Sequence, residues 1–109
     1  MACDELVRRG YAILATRHRT RFGEIDIIAT HDRTVAFVEV KARRTTRRGS
    51  AAEAIPSRKR RRIAAIALDY LAWTGQLHAR CRFDVVAIDG FGTERQTVNV
   101  IENAWTMDG

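Results

Sequence analysis

The chain is poor in the residues that would declare a familiar chemistry. Of 109 residues only two are cysteine, Cys3 and Cys81. They form no Cys-x-x-Cys unit and have no histidine ligand set beside them, which leaves a zinc site without support and reads as reduced, buried thiols of a cytosolic protein. No uninterrupted apolar run approaches the ~18 residues of a membrane span, and no charged-then-apolar leader precedes the first element. The expectation is a cytoplasmic, soluble protein with no membrane partner. The three histidines, His18, His31 and His78, are scattered at loop or turn positions without ligand spacing. No Ser-His-Asp set, Gly-rich phosphate loop, internal repeat or low-complexity tract is present, so triad hydrolysis and P-loop chemistry find no support.

Lysine is scarce as well: seventeen of the nineteen basic residues are arginine. With a formal charge of +6 and a pI near 10.3, the chain favours a polyanionic partner, nucleic acid first and an anionic membrane surface second. Arginine suits bidentate phosphate recognition, although a GC-rich coding bias produces the same preference. The charge is concentrated. From Lys41 to Arg62 there are ten basic residues against one acid, Glu53, a local balance of +9, while the rest of the chain is at −3. Within that stretch, Arg43, Arg44, Arg47 and Arg48 belong to a polar loop over 42–50. Arg58, Lys59, Arg60, Arg61 and Arg62 open a helix. Cations there oppose the macrodipole at a cost of about a few tenths of a kcal/mol each, an arrangement that makes sense where phosphate docks on outward-pointing backbone N–H groups. A bare charge run is otherwise a solvated face.

Gly23-Glu24-Ile25-Asp26-Ile27-Ile28-Ala29 and Val35-Ala36-Phe37-Val38-Glu39-Val40-Lys41 flank His31-Asp32-Arg33-Thr34 and read as a β-hairpin. With Asp32 and Arg33 at the tip, Asp26 lies opposite Glu39 and Glu24 opposite Lys41. Alternation then puts all four ionisable groups on one face, with Ile28, Phe37 and Val35 beyond them. Ile25, Ile27, Ala29, Ala36, Val38 and Val40 fill the other. A hairpin so apolar is central in its sheet. Carboxylates about 5 Å apart in such a place repel each other and lose hydration. They need a positive partner: Lys41, an arginine, or a divalent cation, for which oxygen-only ligands suit Mg²⁺ or Mn²⁺. Glu-Val-Lys is a common tripeptide, and alone it reads as a solvated strand face.

The remaining elements follow by pattern. A short helix over 2–9 ends at Gly10 as a left-handed cap. A strand over 11–15 leads into a polar turn through Arg17, His18, Arg19 and Arg21. A helix with Ser57 as N-cap buries Ile63, Ile66, Ala67, Tyr70 and Leu71 and stops at Gly75. A buried strand over 81–89 carries Asp84, read as a bridge to an arginine or a residue supporting the site. A last strand covers 97–101, and the tail through Trp105 packs across it. The order α-β-β-β-α-β-β makes an α/β fold with a mixed sheet flanked by helices.

Taken together, Gly10-Tyr11, Gly23-Glu24-Ile25-Asp26, Phe37-Val38-Glu39-Val40-Lys41, Glu53-Ala54, Lys59 and Arg82-Phe83-Asp84-Val85-Val86 closely resemble the bacterial YraN family. That family of uncharacterised proteins is assigned to the PD-(D/E)xK nuclease superfamily, near archaeal Holliday-junction resolvases. The resemblance spans essentially the whole chain. It implies a restriction-endonuclease-like core and a single endonuclease-like domain over 1–109. Family members usually begin with a longer first helix holding a Gly-Glu pair, whose glutamate would be a further metal ligand. Asp4 and Glu5 do not match it, and the first helix is expected to be truncated.

The resemblance also implies a Mg²⁺-dependent (or Mn²⁺-dependent) endonuclease, a phosphodiester hydrolase. Asp26 and Glu39 would be the metal-binding acids with the carbonyl of Val40, Lys41 the catalytic lysine, and Glu24 an additional acid. The expected partner is nucleic acid, DNA before RNA, gripped by Arg43, Arg44, Arg47, Arg48, Arg58, Lys59, Arg60, Arg61 and Arg62. Such backbone contacts favour structure-selective over sequence-specific binding. Related resolvases are dimers, which suggests a homodimer by analogy. The alternatives are a non-catalytic nucleic-acid-binding module on the same fold and, more distantly, a scaffold for acidic protein partners.

Overall fold

The computed structural model describes residues 1–44 and 55–107. Its order is α1 (Ala2–Arg8), β1 (Ala12–Thr20), β2 (Gly23–His31), β3 (Thr34–Arg43), α2 (Ser57–Trp73), β4 (Cys81–Asp89) and β5 (Thr97–Trp105). This is the α-β-β-β-α-β-β mixed α/β order expected from the sequence. The five strands form one sheet in the order β1-β2-β3-β4-β5. All neighbours are antiparallel except β3 and β4, which run parallel from Val35↔Cys81 to Arg43↔Asp89. A parallel pair needs a crossover, and α2 lies in it.

Two apolar clusters occupy the two faces. Ile28, Val35, Phe37, Phe83, Val85 and Ala87 pack with Ile63, Ile66, Tyr70 and Leu71 of α2. Ile27, Ala29, Ala36, Val38, Val86 and Ile88 pack with Leu6 of α1 and with Tyr11. The opposite membership of odd and even positions follows from strand alternation. No helix among the described residues is long and apolar enough to cross a membrane.

The β2–β3 hairpin has the expected register, Ile27↔Val38 through His31↔Thr34. Its two tip residues are both left-handed, Asp32 at φ 50° and Arg33 at φ 60°, the geometry of a type I′ turn whose twist matches the strands. Several local expectations differ. Ile25 is buried in the α2-side cluster, not the α1-side one, because the alternation of β2 breaks around Asp26. The polar segment Arg17–Thr20 belongs to β1, not to a turn. Its exposed side chains are compatible with a strand because β1 is an edge. His18 and His31 therefore lie in strands. Ser57 is the first helical residue, and Pro56 holds the N-cap position without a side-chain cap. β5 continues to Trp105, which stacks on Phe83 at 5.2 Å. Cys3 and Cys81 are free thiols, half-buried instead of buried.

Candidate functional site

The pairing of β2 with β3 stops at Ile27↔Val38, one position short of Asp26 and Glu39. In place of the next ladder bond, the backbone N–H of Val40 donates to Asp26 Oδ2 at 2.8 Å. A carboxylate thus substitutes for a strand carbonyl, and the two strands part where the acids sit. Glu39 lies opposite Val85 on β4, within the α2-side face, and is only 3% exposed. Burial raises its pKa to about 7; its bond with the Asp26 carboxyl pushes in the same direction, and Lys59 opposes both. Near neutral pH Glu39 can therefore hold a proton and donate it to the Asp26 side chain.

Lys59, from the first turn of α2, sets its Nζ 2.7 Å from Glu39 Oε2. Its approach does not meet hydrogen-bond geometry, so this buried oxygen has no hydrogen-bond partner among the described residues. Lys41 is two residues beyond Glu39 on β3, on the same face by alternation, and half-buried. It has no ion-pair partner among the described residues. The chain's two lysines, amid seventeen arginines, therefore both serve the Glu39 side of the sheet. A compact ammonium fits beside a buried carboxylate where a forked guanidinium needs more room. That scarcity, with the place of Lys59 among the residues that carry the family resemblance, is the sequence signal that separates it from the arginines around it.

Glu24 does not reach Lys41. It pairs across the β1–β2 hairpin with Arg19, at 3.1 Å. The residues brought together are thus Asp26, Glu39 and Lys59, with Lys41 and the Val40 backbone adjoining. Among the described residues no group of three or more His, Cys, Asp or Glu side chains could hold a metal ion. Two carboxylates with a strand carbonyl nevertheless fit Mg²⁺, which is commonly held by one or two carboxylates and completed by water and substrate phosphate. Oε2 of Glu39, held only by the Lys59 ammonium, is the oxygen such an ion would claim.

The basic residues divide. Arg43 is turned into the sheet end, 2.8 Å from Asp89. Arg60 donates to the Ile55 carbonyl and lies over the Trp105 ring. Arg44, Arg58, Arg61 and Arg62 remain exposed, while Arg47 and Arg48 lie outside the described residues. Arg19 and Arg21, which the sequence did not add to the expected nucleic-acid contacts, join Arg62 in lining a groove beside the β1–β2 turn. Gly23 makes this close approach feasible: a Cβ there would come within 3.0 Å of the Arg62 side chain.

Asp84, fully buried on the α1 side, is the second charged centre. It accepts from Tyr11 Oη at 2.6 Å, from Arg82 Nε at 3.0 Å and from the Asn103 N–H at 2.9 Å. Burial works against the Arg82 cation, but its bonds to Asp84 and Tyr11 outweigh that and raise its pKa. Burial and then Asp84 raise that of Tyr11. His31 stacks on Tyr11 at 4.1 Å and contacts Arg82 through Nδ1. This is the bridge to an arginine foreseen for Asp84, on the opposite face from Glu39.

The comparisons with known proteins agree with one another. Residues 1–88 match the model of uncharacterised protein family UPF0102. A UPF0102 protein of Desulfosudis oleivorans is 49% identical over 100 residues, covering 92% of this chain and 79% of that protein. UPF0102 protein STH1475 of Symbiobacterium thermophilum is 42% identical over 104 residues, 95% and 88% of the two chains. UPF0102 protein RHA1_ro06551 of Rhodococcus jostii is 42% identical over 101 residues, 92% and 86%. The chain belongs to UPF0102, the YraN family.

Proposed function

We propose, with that membership as the premise, that this protein is a metal-dependent nuclease-like enzyme of the PD-(D/E)xK type on a restriction-endonuclease-like core. Its substrate would be the phosphodiester backbone of nucleic acid, DNA before RNA. One observation carries the reading: the Asp26–Glu39 carboxyl pair, with Glu39 buried, its pKa raised to about 7 and Oε2 without a hydrogen bond. A buried acid pair left partly unsatisfied costs stability, and such arrangements cluster at functional sites.

Asp26, Glu39 and the Val40 carbonyl would hold Mg²⁺ or Mn²⁺, which when bound polarises a phosphoryl oxygen and lowers the pKa of its water. The Val40 N–H fixes the Asp26 carboxylate, so one oxygen is positioned before any cation arrives. Burial of Glu39 keeps bulk water from competing for the other acid. Lys41, free of an internal counter-ion among the described residues, is available to orient water or to balance charge on the phosphorane. Arg44, Arg58, Arg61 and Arg62 would hold the backbone on either side.

Calorimetric titration with Mg²⁺ and Mn²⁺ tests the reading. Saturable binding is expected in the wild type and its loss in both Asp26→Asn and Glu39→Gln. Affinity should rise from pH 6 to 8 as Glu39 gives up its proton. No binding by the wild type above pH 7, even with nucleic acid present, would sink the enzyme. A second reading, a non-catalytic nucleic-acid-binding module, is favoured by Lys59: its ammonium already stands beside Glu39 as a built-in cation. Lys59→Met should tighten metal binding in the enzyme and leave the module without any.

A further inference from the structure

Trp73 is the largest exposed apolar side chain, at 75% exposure, while the chain's other tryptophan, Trp105, is buried. It closes α2, with Tyr70 edge-on to its ring at 6.4 Å and most of the indole open to solvent. His18 stands 6.5 Å away at a 29° interplanar angle, itself set edge-on to Tyr70 at 5.4 Å. The neighbours across the groove are Arg19, Thr20, Arg21 and Asp69. An exposed indole ringed by two arginines and a histidine, with one carboxylate, is chemically a platform for a base with its phosphates on either side.

The position of this platform ties it to the acids. Arg19 and Arg21 also line the next groove, which contains Arg62 and Glu24. Arg62 in turn lines a third with Arg58 and Lys59, and Lys59 touches Glu39. Each groove shares residues with the next. Along α2 the path from Lys59 to Trp73 is about 21 Å at the rise of an α-helix, about six nucleotides at the per-strand spacing of a duplex. Glu24 is already paired with Arg19, which leaves Asp69 as the acid along the path without a counter-ion among the described residues.

We infer that these grooves form a track for an unpaired strand, with Trp73 stacking a base about six nucleotides or fewer from the carboxylate pair. This rests on the nuclease reading and narrows it to substrates with a single-stranded segment, such as a flap, gap or overhang. A base in a duplex keeps its faces against its neighbours; only an unpaired one can offer a face to the indole.

The test uses the full chain in EDTA, so that binding is read without cleavage. Tryptophan emission and fluorescence anisotropy would follow titration with a labelled twelve-nucleotide oligothymidylate and with a blunt duplex hairpin of the same charge. The single strand should bind more tightly and quench the exposed indole. Trp73→Ala should weaken its binding roughly five- to hundredfold while leaving the hairpin unchanged, and Trp73→Phe should restore most of the loss. Exposure of the residue makes unfolding an unneeded explanation, and thermal melts of both variants verify this. Equal binding of both nucleic acids, unaffected by Trp73→Ala, overturns the track but leaves the nuclease standing. Failure of the wild type to bind either at low salt overturns both, and a Trp73 patch would then belong to a protein partner.

Discussion

Asp84 and Glu39 are both buried acids on central strands, facing opposite sides of one sheet, and the sheet treats them differently. Asp84 has a phenol, a guanidinium and a backbone N–H directed at its two oxygens. Glu39 has one lysine, another acid and an oxygen without a hydrogen bond. A buried charge surrounded by donors is a structural joint; a buried charge set against a second acid is unstable until something else arrives. Burial alone would not distinguish them. The inventory of donors does.

The largest expected effect falls on the satisfied acid. Asp84→Ala strands a half-buried guanidinium and a buried phenol and should cost about 3–5 kcal/mol, read by urea unfolding. A loss below about 1 kcal/mol would mean that the joint holds little and that the contrast with Glu39 is empty.

Glu39→Gln should act in the reverse sense. The carboxyl rises from 4.5 to about 7 on folding, so between those values the native chain binds more protons than the unfolded one. Stability must therefore fall as pH rises through that window and level off above it. At about 1.4 kcal/mol per pH unit the wild type forfeits up to about 3 kcal/mol by pH 8. A neutral amide, able to donate to Asp26 as protonated Glu39 does, should recover that stability and flatten the profile between pH 4.5 and 7. Unfolding free energies of both proteins at pH 5 and pH 8 decide it; parallel profiles would show that Glu39 ionises freely in the folded state.

Much of this contrast was legible in the sequence. Period-two alternation gave the hairpin register and put Glu39 and Lys41 on the face of Phe37, and Asp84 was legible as a bridge to an arginine, though not its face of the sheet. What escaped depended on distances that no local pattern encodes. Lys59 meets Glu39 because α2 packs across β3, twenty residues further along the chain. Arg43 turns into the sheet end because the parallel register sets it against Asp89. Ile25 changes face because Asp26 takes a backbone N–H with its side chain, a break in the ladder that alternation assumes away. The polar end of β1 resembled a turn because an edge strand needs only its neighbour's backbone, not a second apolar face. Arg47 and Arg48 fall outside the described residues.

The single parallel seam between β3 and β4 has a kinetic consequence. β1–β2–β3 and β4–β5 are sequence-local meanders of the kind whose hairpins close in about 1–10 μs. The seam joins residues more than forty positions apart, Val35 with Cys81 for one, so its loop closure comes late. Val85→Ala, at the seam, should therefore speed unfolding and hardly slow folding, whereas a marked slowing of folding would put the seam in the nucleus. Glu39 lies on that seam opposite Val85, so its burial is completed only as the two halves of the sheet meet: the hairpin brings the two acids together early, and the seam takes one of them out of water.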